Sequence, residues 1–185
     1  EDHRTGEADD ADDRWQHRHG TPGHGRDHVL PAFVPPHATL PVVAGSKVSF
    51  PNEDPILHNA FSTSKGNPFD VGLYGSGEEH TVEFAHAGYV RVYCNVHHSM
   101  VGHILVLDTP YFTRPGNDGR FRLADLPSEQ GDLVVWHDRA TPWQSRVEAG
   151  RQAPLEVRLE LKLKRIPPHM NKFGKPYGRG RDGAY

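Results

Sequence analysis

The stretch YCNVHHSMVGH, residues 93–103, holds the only cysteine of the chain, Cys94, and one of its two methionines, Met100. His97, His98 and His103 share the same window. Thiolate, imidazole and thioether are the donors that softer metal ions prefer. The spacing Cys-x-x-His-x-x-Met lets one short loop turn Cys94, His97 and Met100 toward a common point, provided Cys94 ends a strand. A fourth donor must come from elsewhere, and the candidate is His58 in PNEDPILHNAFS, read as standing where a strand ends and a turn-rich segment begins. One cysteine and two histidines in a plane, with a weak axial methionine, form the ligand set of a blue-copper electron-transfer site. Zinc fits less well, because a thioether is a poor zinc ligand. A Cys-His nucleophile fits least, since no separate group orients the histidine. Taken singly, Cys94 reads as a core thiol, His97 as a surface imidazole and Met100 as a gap-filler. Their joint spacing favours the metal.

Strands must position these donors. In TVEFAHAGYVRVYC the residues alternate, with Val90, Val92 and Cys94 on one face and Tyr89, Arg91 and Tyr93 on the other. HILVLD, 103–108, reads as the strand that leaves the loop. Upstream, VAGSKVSF turns at Gly45-Ser46 and alternates from Lys47 to Phe50. After Asp108-Thr109-Pro110 the pattern restarts. GRFRLADLP, GDLVVWHD, QSRVEAG and PLEVRLELKLK read as four more strands, each closed by Gly, Pro or Asp. No helical period stands out, so the expected class is all-β.

Composition narrows the functional classes. The 185 residues include 19 Gly and 16 Pro, which suits many turns. A net charge of −3 gives no sign of nucleic-acid binding. One cysteine excludes an internal disulfide framework, and no apolar run of about 18 residues is available to span a membrane. Histidine is over-represented, with 14 residues. Residues 1–27 hold little that could bury, and they read as a disordered tail. His3, His17, His19, His24 and His28 in and beside it could bind Cu(II) or Zn(II) weakly. From Lys162 onward seven Lys/Arg stand against one Asp, which reads as a solvated basic tail.

FPNEDPILHNAFS followed by VEFAHAGYVRVYCNVHHSMVGHILVLD resembles the plastocyanin and amicyanin branch of the cupredoxins. The short Cys-x-x-His-x-x-Met loop is similar to that of amicyanin. The resemblance implies a Greek-key β-sandwich and one copper ion held by His58, Cys94 and His97 with Met100 axial. It favours His97 over its neighbour His98, and leaves His98 and His103 as surface imidazoles or outer-sphere groups. It also implies that Asn59 hydrogen-bonds across to the ligand loop, and that Tyr93 is the aromatic before the cysteine. The role implied is a one-electron carrier, not an enzyme. It would serve a redox donor and acceptor and be exported, periplasmic in a bacterium, with its export signal removed. Copper capture with help from the His-rich tail is the alternative role. A copper oxidase or reductase would need a second copper, and the one His-x-His, His17-Arg18-His19, lies in the tail.

Residues 109–163 resemble the carboxypeptidase-regulatory, transthyretin-like β module, through DGRF-x-L-x-x-LP and a strand ending in Trp136-His137. That module carries no catalysis, and these two residues read as core and rim. The expected organisation is a His-rich tail at 1–27, a cupredoxin domain at 28–108, the second small β-sandwich-like module at 109–163 and a basic tail at 164–185.

Overall fold

The computed structural model describes residues 27–29, 39–150, 154–162 and 170–177, the first three through their backbone alone. Among them the structure is all-β, with ten strands and no helix. The chain divides into two units, one running to Pro110 and resuming at Met170, the other starting at Tyr111.

The first unit is a two-sheet sandwich. Its strands are β1 (Asp27–Val29), β2 (Thr39–Val43), β3 (Ser46–Pro51), β4 (His58–Ser62), β5 (Phe69–Tyr74), β6 (Glu79–Phe84), β7 (Gly88–Tyr93) and β8 (Val101–Leu107). One sheet has the order β1-β3-β6 and the other β2-β8-β7-β4-β5. The pairs β1–β3 and β2–β8 are parallel, and the other pairs are antiparallel. The chain crosses between the sheets after β1, β2, β3, β5 and β6, the connectivity of a Greek-key sandwich.

Alternation dictates what enters the core. Val48 and Phe50 of β3 and Phe84 of β6 face Leu40, Val42, Ala60, Tyr74, Val90, Val92, Ile104 and Val106 from the larger sheet. Val90 and Val92 are buried while Tyr89, Arg91 and Tyr93 are only partly covered, as their period of two requires. Gly45, with φ of 85°, supplies the left-handed residue of the β2–β3 turn. Pro41 donates no ladder hydrogen bond, and β2 tolerates it because this strand forms an edge of its sheet.

β4 lies between β5 and β7, and all five of its residues are buried. Asn59 pairs with Leu73 and Phe61 with Asp70, so β5 carries one residue more than β4 between these pairs. Gly72, with φ of 79°, absorbs that bulge.

The second unit holds an antiparallel pair, β9 (Gln130–Val135) and β10 (Trp143–Glu148). Two of the four stretches expected to be strands here are therefore strands. Residues 119–127 are not, because Gly119 (φ 75°) and Asp125 (φ 54°) take left-handed conformations that break an extended run. Residues 154–160 alternate in exposure as a strand would, yet only the next residue, Leu161, bridges, to Ala140. Alternation sets faces, but a ladder also needs a partner along its length. No helix among the described residues is long and apolar enough to cross a membrane.

Candidate metal centre

The centre begins with the turn before β4. Asn52 is buried, and its amide donates to the carbonyls of Ile56 (2.9 Å) and Tyr74 (3.1 Å). Its side-chain oxygen accepts the Asp54 N–H at 3.0 Å. The 52–57 turn therefore has one preferred shape, and it sets Asp54 four residues ahead of His58. His58 opens β4 rather than closing a strand, the reverse of the order expected from sequence, because the Pro- and Asp-rich turn precedes it. It is only 3% exposed. Its Nε2 lies 2.7 Å from Asp54 Oδ2. A carboxylate accepts, so Nε2 carries the proton and Nδ1 turns its lone pair inward.

Cys94 extends the core-facing row of Val90 and Val92 just past β7 and is buried. The loop to β8 closes through its own backbone. Cys94 N–H donates to Met100 O at 3.4 Å, and Met100 N–H donates to His97 O at 3.0 Å. His97 N–H points at Cys94 Sγ from 3.4 Å. Half-buried His97 is thereby folded back over the cysteine.

Three donor atoms converge. His58 Nδ1 and His97 Nδ1 are 3.2 Å apart, and Cys94 Sγ lies 3.7 Å from His97 Nδ1 and 4.0 Å from His58 Nδ1. Among the described residues this is the group of His, Cys, Asp or Glu side chains able to hold a metal ion. Metal bonds of about 2.0–2.1 Å to nitrogen and about 2.3 Å to sulfur would span these edges with angles totalling about 350°, close to a plane. The donor set therefore fits a three-coordinate ion. Met100 is half-buried, and its backbone belongs to the same closed loop. Burial, then the neighbouring His58, hold the His97 imidazole below its ordinary pKa, with Asp54 opposing and His98 reinforcing. Its ring is thus neutral, as a ligand must be.

A hydrogen-bond ring lies behind the donors. Asn59 donates to Asp70 Oδ1 and to Gly72 O, both at 2.8 Å, and its oxygen accepts the Asn95 N–H at 3.3 Å. β4 is thereby tied to the 94–100 loop, the contact that the resemblance implies for Asn59. Asn95 Oδ1 accepts the Lys172 N–H at 3.3 Å, and Lys172 Nζ lies 2.7 Å from Asp70 Oδ2. Burial pushes the Asp70 carboxyl up, but Lys172, Asn59 and the Gly72 N–H together hold it below the ordinary value.

The other candidates lie apart from the triangle. His98 is exposed and stacks on Tyr177, with ring centroids 3.5 Å apart. His103 is not a surface group. It is 2% exposed on β8, with Nδ1 2.6 Å from the Tyr89 hydroxyl. Both faces of the larger sheet are covered there, which a lone alternating strand does not reveal. His137, in the second unit, accepts the Arg139 N–H on Nδ1. His3, His17, His19 and His24 lie outside the described residues, as does the side chain of His28. Asp54, Asn52, Asp70, Asn95 and Lys172 escaped sequence reasoning. Asp54 alone left a local signal, a carboxylate four residues before a candidate ligand histidine.

No family model matches the chain. UPF0047 proteins of Mycobacterium bovis and Mycobacterium tuberculosis are 62% identical to it over 34 residues, 18% of this chain. The chain spans about a quarter (26%) of the length of these curated relatives. Among solved structures, a purple cupredoxin from Nitrosopumilus maritimus is 22% identical, covering 44% of this chain and 98% of that one, with a TM-score of 0.36. A reduced amicyanin variant is 18% identical, covering 45% and 85%, with a TM-score of 0.39. A copper-containing nitrite reductase from Thermus scotoductus is 27% identical, covering 38% and 19%, with a TM-score of 0.37. All three scores are below 0.5, and the chemistry of the centre is read from its own donors.

Proposed function

We propose that the chain holds one copper ion on His58, Cys94 and His97, with Met100 as a weak axial donor, and carries single electrons without transforming a substrate. The triangle of two imidazole nitrogens and one sulfur, with Asp54 fixing His58, carries this reading. Bound copper would supply a one-electron Cu(I)/Cu(II) couple. The residues around it do the rest. Asp54 keeps His58 in the ligating tautomer. The His97 N–H draws electron density from the Cys94 sulfur, a lever on reduction potential. Asn59 and the loop's backbone bonds hold the donors in place, which keeps rearrangement small when charge moves.

A carrier needs an exposed docking surface rather than a substrate pocket. Val96 adjoins His97, Ile56 and Leu57 precede His58, and all three are exposed apolar side chains. They suit brief contact with a redox donor and acceptor. Export, to the periplasm in a bacterium, is part of the proposal and rests on the family resemblance alone.

The test is the absorption spectrum of the oxidised, copper-loaded protein. An intense thiolate-to-copper band is expected. Cys94→Ser and His97→Ala abolish it, and His98→Ala spares it. A colourless copper complex, or a band that survives His97→Ala and dies with His98→Ala, overturns the assignment.

A further inference from the structure

Residues 170–177 follow the second unit in the sequence, yet they belong to the first unit. Their shape is set locally. Asn171 Oδ1 accepts the N–H groups of Phe173 and Lys175, both at 3.0 Å. Gly174, with φ of 71°, donates its N–H to Asn171 O at 2.9 Å. This tight turn presents Lys172 at one point. There its backbone N–H donates to Asn95, the residue after Cys94, while its ammonium reaches Asp70 on β5. Asp70 in turn holds Asn59, the residue after His58. One lysine therefore closes a ring that runs from the first ligand's strand, through β5, to the ligand loop. Five residues later, Tyr177 lies against the exposed ring of His98, the neighbour of His97. Burial, then the neighbouring Cys94 and Tyr93, push the Tyr177 phenol up, which agrees with its closeness to the centre.

We propose that residues 170–177 are a strap belonging to the metal centre, with Lys172 as a positioning residue that fixes the ligand loop through Asn95 and Asp70 while Tyr177 covers the loop at His98. The proposal rests on the reading of His58, Cys94 and His97 as metal ligands. A solvated tail would leave Asn95 and Asp70 to water. The strap replaces that water with one charged contact and one backbone bond at fixed points, so it narrows the positions open to residues 95–100. The influence of Lys172 on the triangle passes through Asn95 and Asp70.

Two measurements on the full-length chain test this. In metal-free protein, amide exchange is followed at Asn95, His97 and Met100, whose N–H groups are hydrogen-bonded within or onto the loop. Lys172→Met speeds exchange there about three- to tenfold, as loss of a partly exposed ion pair plus a tethered bond allows, and leaves β8 amides unchanged. Lys172→Arg, which keeps the charge, restores protection. In copper-loaded protein, the reduction potential and the thiolate band shift in Lys172→Met and return toward wild type in Lys172→Arg. Unchanged exchange at the three amides overturns the strap. Faster exchange with an unmoved potential and band overturns the positioning role. A wild-type protein without a thiolate-to-copper band overturns the ligand assignment instead, and the exchange measurement then still decides whether the strap holds the loop.

Discussion

Replacing Asn59 with alanine severs the ligand loop from the strand of its partner histidine. The amide is 4% exposed and makes three contacts, to Asp70 Oδ1, to Gly72 O and from the Asn95 N–H. Asp70 keeps Lys172 and reaches solvent, so its loss is small. Gly72 O and the Asn95 N–H lose a buried partner, and each stranded group costs about 1–3 kcal/mol. A total of about 2–6 kcal/mol follows, which is about a 30- to 25,000-fold rise in the opening equilibrium. A melting curve of the whole chain would blend two units. Native-state amide exchange at the core positions of β7 and β8 reads the sandwich by itself. The expected result is faster exchange throughout β7 and β8 within that range, with the Asn95 amide the most affected. A change below about fivefold would mean that water or a rearranged loop satisfies both groups, and the bridging role of Asn59 would be wrong.

Asp54→Ala removes the acceptor of the His58 Nε2–H from a side chain that is itself 54% exposed. Copper affinity should fall about 10- to 100-fold in competition with a chromophoric chelator, with little loss of fold stability, and an unchanged affinity would refute the orienting role. The Asp70 carboxyl is held below its ordinary 3.8 in the folded chain. Its contribution is therefore complete above the unfolded value and is lost as pH falls through the lower folded one. The Lys172 resonances should stay constant from pH 7 to about 5 and move only below about 4. Release of the strap near pH 6 would contradict this, and Asp70→Asn should remove the acid transition.

What the sequence reveals here follows the range of each interaction. Cys94 and His97 are separated by two residues, and the Val90–Val92–Cys94 alternation announces the face that Cys94 takes, so this part of the triangle is local and legible. Asn59 is legible through family resemblance, because its partners Asp70 and Asn95 lie 11 and 36 residues away. Lys172 is not legible at all. Its bonds span 77 and 102 residues, and a Lys-, Gly- and Pro-rich stretch carries the composition of a solvated tail. His103 misleads for a related reason: alternation in HILVLD puts it on a defined face but says nothing of what covers that face. In the second unit, 154–160 has the period of a strand without a strand's partner, since pairing is a property of two segments.

The two histidines of the triangle are held in different ways. His58 is fixed twice, by its place at the head of a fully buried strand and by Asp54 on its outer nitrogen. His97 is fixed through its backbone, by the Met100 N–H on its carbonyl and by its own N–H on the Cys94 sulfur, within a loop of seven residues. A rigid donor on one side and a loop-borne donor on the other mean that any distortion of the centre falls first on His97. The residues that limit such distortion are those that bind the loop's neighbours: Asn59 through Asn95, Lys172 through the same asparagine, and Tyr177 through His98. The loop thus gains from three residues, in β4 and in the 170–177 strap, the rigidity that β4 already gives His58. Substitutions at Lys172 and Tyr177 should alter the spectroscopic character of the centre before they unfold the sandwich, whereas substitutions around Asn52 and β4, Asn59 included, should do the reverse.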